Sequence, residues 1–314
     1  MLRAAVSSDI DTLESLYGSV VAPPGGYTGD ELRAGLEVFC RFLEPYGTRA
    51  TLFMVGRDFL RTANVPAIKS ASAAGHEIAN HTFSHAQGFR WLPPADKEAE
   101  IAGMEDACQA ALGVRPIGFR SPGWNIGDDA LPILQRRGYR YDSSVFPTTL
   151  SPVLKGLHRY ATRARPPIER TTLGPWRHMF APVVPYRADC VTLMRRGSGL
   201  IEFPVTVTPL LRWPFFATFL LSTGFDLFRV SYRALRALRR PIQYQFHLSD
   251  FVDFTTGRLA SQVPGPRAGV YVAQSLRTPL ARKLDLFTRA MDVIAEDYAF
   301  ATLGQWADAG AAAV

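Results

Sequence analysis

Residues 66–142 carry one pattern three times: PAIKSASAAGHEIA (66–79), DKEAEIAGMEDACQAALGVRPIGF (96–119) and DDALPILQRRGYRYD (128–142). In each, an amphipathic run stops at a glycine (Gly75, Gly113, Gly138), and a short apolar run follows within three residues. Glycine just past the last periodic residue is a helix stop, because it takes the left-handed conformation without steric cost. Helix, glycine, strand in series describes βα units, and therefore a parallel sheet or barrel.

Working outward, the candidate strands are Ala4–Ser7, Ala50–Val55, His76–Ala79, Pro116–Phe119, Arg140–Asp142, Leu200–Phe203, Ile242–Phe246 and Ala299–Thr302. The candidate helices are Gly29–Tyr46, Pro66–Ala74, Asp96–Leu112, Asp128–Arg137 and Pro279–Glu296. Leu32, Leu36, Phe39 and Leu43 recur at i, i+4, i+7 and i+11, which is a core-facing stripe. Residues 148–198 break the rhythm with Pro, Arg and Gly, and read as an excursion from the α/β core. The expected organisation is one domain over 1–308, with 148–240 insertion-rich, basic and apolar, and a disordered tail at 309–314.

At 314 residues, with 47% hydrophobic and 20% charged side chains, the chain has an ordinary globular composition. Three scattered cysteines (Cys40, Cys108, Cys190) exclude a disulfide scaffold or a cysteine zinc cluster, and fit a reducing compartment. The opening MLRAAVSSDIDT is not a signal peptide, and no apolar run nears the ~18 residues that span a bilayer. The expected location is the cytoplasm, at the inner face of the membrane. The net charge of +7 is uneven. Residues 155–240 hold 15 Lys and Arg against 4 Asp and Glu, a net +11, while the rest holds 20 against 24, a net −4. A basic middle between acidic flanks implies a local anionic partner and argues against nucleic-acid binding.

Chemistry in parallel βα folds sits at the C-terminal ends of strands. The polar residues that directly follow an apolar run are Asp9 and Asp11, His81 and His85, Arg120, Asp142 and His247. Two histidines four apart, in His81-Thr82-Phe83-Ser84-His85, can bring two ring nitrogens to one divalent ion, zinc being the natural choice, or they are two unrelated polar residues. Asp9 and Asp11 face the same side of an extended chain, so one can ligate an ion and the other serve as general base; Asp11 can equally be a helix N-cap. Arg120 can hold a carboxylate through two hydrogen bonds, or pair only for structure. In the following Pro122-Gly123-Trp124, the glycine permits close approach of a substrate and the indole offers it a flat wall, or the run is simply a turn. His247 is a candidate general acid, since its ordinary pKa lies near neutrality, though a lone histidine is more often structural. Asp142 can orient a catalytic partner or cap a loop. His76, His158 and His178 have no partner at useful spacing and read as structural. Taken together, the set describes metal-assisted hydrolysis of an acyl group.

The order Asp-x-Asp, His-x-x-x-His, Arg-x-Pro-Gly-Trp, Tyr-Asp-Ser-Ser, then a strand-end histidine resembles the polysaccharide deacetylases of the NodB-homology type, carbohydrate esterase family four, from Asp9 to about Leu303. The resemblance implies a deformed (β/α) barrel of about seven strands with a long insertion in its second half. It implies a divalent metal, commonly zinc, on Asp11, His81 and His85. It implies Asp9 as the base, Arg120 orienting it, His247 protonating the leaving amine and Asp142 supporting that histidine. Typical members carry two adjacent aspartates in the first motif; here Ile10 separates them. That form resembles a divergent branch with lipid-linked aminoarabinose deformylases and cyclic-amide or peptidoglycan-deacetylase-like members. The implied substrate is an N-acetyl or N-formyl amino sugar, with a lipid- or phosphate-linked acceptor in view. Alternatives are an amidase of a non-sugar or cyclic amide, and a non-catalytic sugar or lipid binder. A haloacid-dehalogenase-type phosphatase or an Asp-x-Asp glycosyltransferase would leave His81 and His85 unused.

The stretch 209–240 joins an apolar aromatic piece, Trp213–Leu221, to Arg229, Arg233, Arg236 and Arg240 on one helical face. This is either an interfacial anchor on an anionic membrane or a barrel helix with a solvated arginine face.

Overall fold

The computed structural model describes residues 1–18, 22–161, 174–265 and 272–310. The side chain of His158 and residues 311–314 of the expected tail lie outside that description. The strands are β1 (Leu2–Ile10), β2 (Ala50–Met54), β3 (Glu77–Asn80), β4 (Gly118–Phe119), β5 (Tyr141–Asp142), β6 (Tyr186–Ala188), β7 (Arg196–Glu202), β8 (Ile242–His247) and β9 (Tyr298–Phe300). They form one sheet in the order β6-β7-β5-β4-β3-β2-β1-β8, with β9 also paired to β1. β1 to β5, β7 and β8 are parallel and form the curled, barrel-like part. All eight expected strands are present. The short antiparallel β6 was not expected.

The helices are α1 (Leu13–Tyr17), α2 (Asp30–Leu43), α3 (Val65–Ala73), α4 (Pro94–Leu112), α5 (Leu131–Arg136), α6 (Ser151–Ala161), α7 (Ala217–Thr223), α8 (Phe225–Ala237), α9 (Gly257–Ala260), α10 (Leu280–Asp297) and α11 (Leu303–Asp308). The stripe Leu32, Leu36, Phe39 and Leu43 of α2 is buried, and Gly75, Gly113 and Gly138 all have positive φ, as the helix-stop reading requires. Within the expected Asp128–Arg137 helix, Pro132 restricts the backbone before it, and a 3-10 turn (Asp128–Ala130) precedes α5.

Strand periodicity decides what points where. In β1, Ala4, Val6 and Ile10 join the helix-facing core, whereas Ala5 joins an interior cluster with Phe53, Tyr141, Phe203 and Trp306. Ser7 and Asp9 therefore share the interior face of Ala5. β8 repeats the rule: Ile242, Tyr244 and Phe246 face the helices, so Gln243, Gln245 and His247 face inward. The parallel register sets Asp9 beside His247 and Ser7 beside Gln245. β8 is not paired to β7; the Gln243 N–H donates instead to Thr206 Oγ1 at 2.8 Å, a side-chain bond across the opening.

The end of the barrel opposite the site is stoppered by α11. Its first N–H groups donate to Thr51 Oγ1 (2.9 Å, from Leu303) and Glu77 Oε2 (2.9 Å, from Gly304), and Tyr141 Oη donates to Glu77 Oε1 at 2.8 Å. The stretch 209–240 departs from a whole-segment anchor. Phe215, Phe216, Leu220, Phe228, Tyr232 and Leu235 are buried, and Phe215 stacks on Phe228 at 4.9 Å. What the stretch leaves outside is the arginine face of α8 together with Leu210, Leu211, Val230 and Leu238. No helix among the described residues is long and apolar enough to cross a membrane.

Gly118 carries the tightest spot in the interior. A Cβ there would lie 1.9 Å from Tyr141 Cζ, so the tyrosine ring occupies the space of the missing side chain. Gly118→Ala is expected to lower the urea stability by about 1–3 kcal/mol through overpacking. Gly156→Ala, in α6 with open space around it, should leave stability equal or slightly higher.

Candidate metal centre and catalytic site

The first half of the site comes from β1 and the loop after β3. Asp11 Oδ1 lies 3.4 Å from His81 Nε2 and 3.3 Å from His85 Nε2, all three side chains being buried. His81 Nδ1 is 2.7 Å from the Arg120 carbonyl and His85 Nδ1 is 3.1 Å from the Ser15 carbonyl. A carbonyl only accepts, so each Nδ1 carries the proton that it donates. In neutral rings both Nε2 lone pairs then point at a carboxylate oxygen. Asp11 Oδ1 and His81 Nε2 have no hydrogen-bond partner. Acceptors converging without a donor, each imidazole held from behind by a carbonyl, could hold a divalent ion. Burial works to raise the Asp11 carboxyl, but the imidazoles of His85 and His81 prevail and hold it well below the usual carboxylate range. Burial pushes His81 down, while at His85 the Asp11 charge outweighs burial and raises it. Thr82 (φ 65°) and His85 (φ 59°) occupy the left-handed region without being glycine, strain held where the ligands converge.

The second half surrounds Asp9. Arg120, fully buried, donates from Nη1 to Asp9 Oδ1 at 2.5 Å, from Nε to the Ser143 carbonyl at 3.0 Å and from Nη2 to Ser143 Oγ at 2.9 Å. The guanidinium lies 3.9 Å from the ring centre of Phe53. Gln245 Nε2 donates to the other oxygen, Asp9 Oδ2, at 2.9 Å. His247 Nε2 stands 3.9 Å from the same oxygen, and its Nδ1 is 3.4 Å from Thr218 Oγ1 on α7. Ligand atoms of Asp9, Asp11 and His247 lie within 4.8 Å of one another, so the two halves form one constellation.

The structure does not bring Asp142 to His247. Tyr141 faces the interior, so Asp142 faces outward, where its Oδ1 accepts from Ser144 Oγ at 2.6 Å and its Oδ2 from the Ser144 N–H at 3.2 Å. Burial raises the pKa of Asp142 and, with the Asp142 charge, lifts that of Glu202 well above normal. The acid nearest the His247 ring is Asp9, whereas Asp250 accepts from the His247 backbone N–H at 2.9 Å and so fixes the main chain there. Pro122 and Trp124 lie in a 3-10 turn with Gly123 at φ 59°. Trp124 is buried and does not form an open platform: its ring meets Phe146 (5.0 Å) and Phe216 (6.0 Å) and stands edge-on to His247 (6.3 Å), with Nε1 unpartnered. His178 is buried, in keeping with a structural role, and burial lowers its pKa to about 3. Gln245, Thr218 and Asp250 escaped the sequence reading. The alternation in IQYQFH placed Gln245 on the face of His247, so that signal was present; nothing local signals Thr218.

Removing the Arg120 charge leaves Asp9 buried and unpaired, so Arg120→Leu is expected to cost about 3–5 kcal/mol in chemical denaturation. Asp9→Asn added to that variant should recover part of the loss, because the stranded charge is removed.

Residues 20–141 match the polysaccharide deacetylase family model, a span that contains His81, His85 and Arg120. A peptidoglycan deacetylase-like protein, FGM2 of Gibberella zeae, is 31% identical over 77 residues, 24% of this chain and 22% of that protein. A peptidoglycan deacetylase of Helicobacter pylori is 23% identical over 158 residues, 48% of this chain and 52% of that protein. The chain thus spans between a fifth and about half of the length of these curated relatives. A solved structure described as a putative polysaccharide deacetylase from Mycobacterium smegmatis superimposes with TM-score 0.60 at 18% identity, covering 99% of this chain and 91% of that one. The Puue allantoinase superimposes with TM-score 0.59 at 14% identity, covering 99% and 90%. Residues 20–141 thus resemble the polysaccharide deacetylase family, and the whole chain shares the fold of the two solved structures.

Proposed function

We propose that the chain hydrolyses the N-acyl group of an amino sugar carried on a polymer or on a lipid or phosphate carrier. The observation that carries this reading is the convergence of Asp11 and His81, buried and unpaired, with His85, beside an aspartate bracketed by Arg120 and Gln245. Asp11, His81 and His85 would hold a divalent ion, zinc being the best fit to two imidazoles and one carboxylate. When bound, such an ion supplies a Lewis acid for the acyl carbonyl and a water of lowered pKa.

Asp9 takes the proton of the attacking water, with Arg120 and Gln245 fixing the plane of its carboxylate. As the carbon–nitrogen bond breaks, His247 gives a proton to the departing amine, leaving a free amine and a carboxylic acid. Thr218 and the edge of Trp124 hold the His247 ring. The apolar cluster of Trp124, Phe146, Val205, Val207 and Phe216 forms the wall on which a short acyl chain rests.

Amine release from N-acetyl and N-formyl amino-sugar oligomers, with a cyclic amide alongside, tests the reading. Asp9→Asn should lower kcat by about 10²–10⁴-fold while bound zinc, measured by elemental analysis, stays at the wild-type level. His85→Ala should lose both activity and zinc. Wild-type turnover in Asp9→Asn would overturn the base assignment, and release from the cyclic amide alone would overturn the substrate class.

A further inference from the structure

Beside the mouth of the site, three segments turn large apolar side chains outward. Val153 and Leu157 share one face of α6, Trp176 and Phe180 stand on a 3-10 turn with their rings 6.0 Å apart, and Leu210 and Leu211 form the tip of the turn after β7. Each of the six is more than half exposed, and Leu210 is 95% exposed.

The three segments are braced together. Arg212 Nη1 donates to the carbonyl of Ala181 at 3.0 Å and to that of Met179, tying the leucine tip to the Trp176–Phe180 turn. Thr149 Oγ1 donates to the Leu211 carbonyl at 2.6 Å, tying it to the chain just before α6. The tip itself is closed by Thr208 N–H to the Trp213 carbonyl (2.8 Å) and Arg212 N–H to the Thr208 carbonyl (3.0 Å). Leu210 (φ 61°) and Arg212 (φ 50°) are both in the left-handed region, so the fold accepts backbone strain to project a leucine pair that stays mostly exposed. Val205 and Val207, on the segment leading to this tip, pack with Trp124, so the patch adjoins the proposed acyl wall.

We propose that this patch docks the chain on an anionic lipid bilayer, with the six side chains entering the headgroup boundary. A protruding set of Trp, Phe and Leu with no polar partner suits an apolar phase. The charge agrees: the stretch 155–240 that carries most of the patch has a net +11, against −4 for the rest. The surface differs from an anchor made of the whole 209–240 stretch, in which Phe215, Phe216, Phe228 and Tyr232 are buried. It stands independently of the chemistry proposed for the site.

Flotation of the full chain with equimolar phosphatidylglycerol–phosphatidylcholine vesicles, and with phosphatidylcholine alone, tests the proposal. The chain should rise with the anionic vesicles and about tenfold less with the neutral ones, and Trp176 emission should shift to the blue on binding. Leu210→Ser/Leu211→Ser should cut partitioning about tenfold or more while leaving the urea transition unchanged. Asp9→Asn should float like wild type, separating this test from that of the deacetylase reading. A wild-type chain that stays down with anionic vesicles overturns the proposal, as does a double variant that floats unchanged. Light scattering that shows a dimer lost in the double variant, without flotation, would assign the patch to a second copy.

Discussion

The ion pair between Arg120 and Asp9 is the constraint around which the site is organised. A charged pair this deeply buried is tolerated only if its remaining donors and acceptors are met. Here they are met from four strands or their ends: Asp9 from β1, Arg120 from β4, Ser143 after β5 and Gln245 from β8. The aromatic face of Phe53 on β2 adds a fifth. The barrel must therefore close correctly for the pair to be satisfied, and the pair in turn fixes the aspartate next to the ligand cluster. Arg120 also holds His81 through its own carbonyl, so one residue orients both halves of the site.

Much of this was legible in the sequence because two periodicities speak clearly. The helix–glycine–strand repeat named the parallel fold, and polar residues directly after apolar runs named Asp9, Asp11, His81, His85, Arg120 and His247. Asp142 shows the limit. In Tyr141-Asp142 a one-residue change of parity decides which side chain enters the barrel. What settles it is the absent side chain of Gly118, which leaves room for the Tyr141 ring. That fact lies 23 positions away in the chain and has no local trace. β6 was illegible for a related reason: a three-residue antiparallel edge shows no periodicity of its own. The apolar run 213–221 was ambiguous because hydrophobicity says that a side chain leaves water, but not whether it enters a core or a membrane.

The basic middle of the chain thus divides its labour. Its aromatic residues complete the helix layer over β8 and supply Thr218 to His247. Its turns supply the exposed apolar patch near the mouth. A lipid-linked or polymeric substrate would meet the surface and the chemistry on one side of the molecule, opposite the stopper formed by α11.

The placement of β1 has a consequence for how the chain reaches this state. β1 is the first strand in chain order, yet two of its neighbours, β8 and β9, lie far along the sequence; the Gln245–Asp9 bond closes a separation of 236 residues. Until β8 arrives, the inward carboxylate of Asp9 lacks its second donor and one edge of β1 is bare. Contacts of such long range are slow to form and leave strand edges open to foreign pairing. The residue at the centre of the proposed chemistry is thus among the last to be fully bonded, which ties competence of the site to completion of the whole barrel.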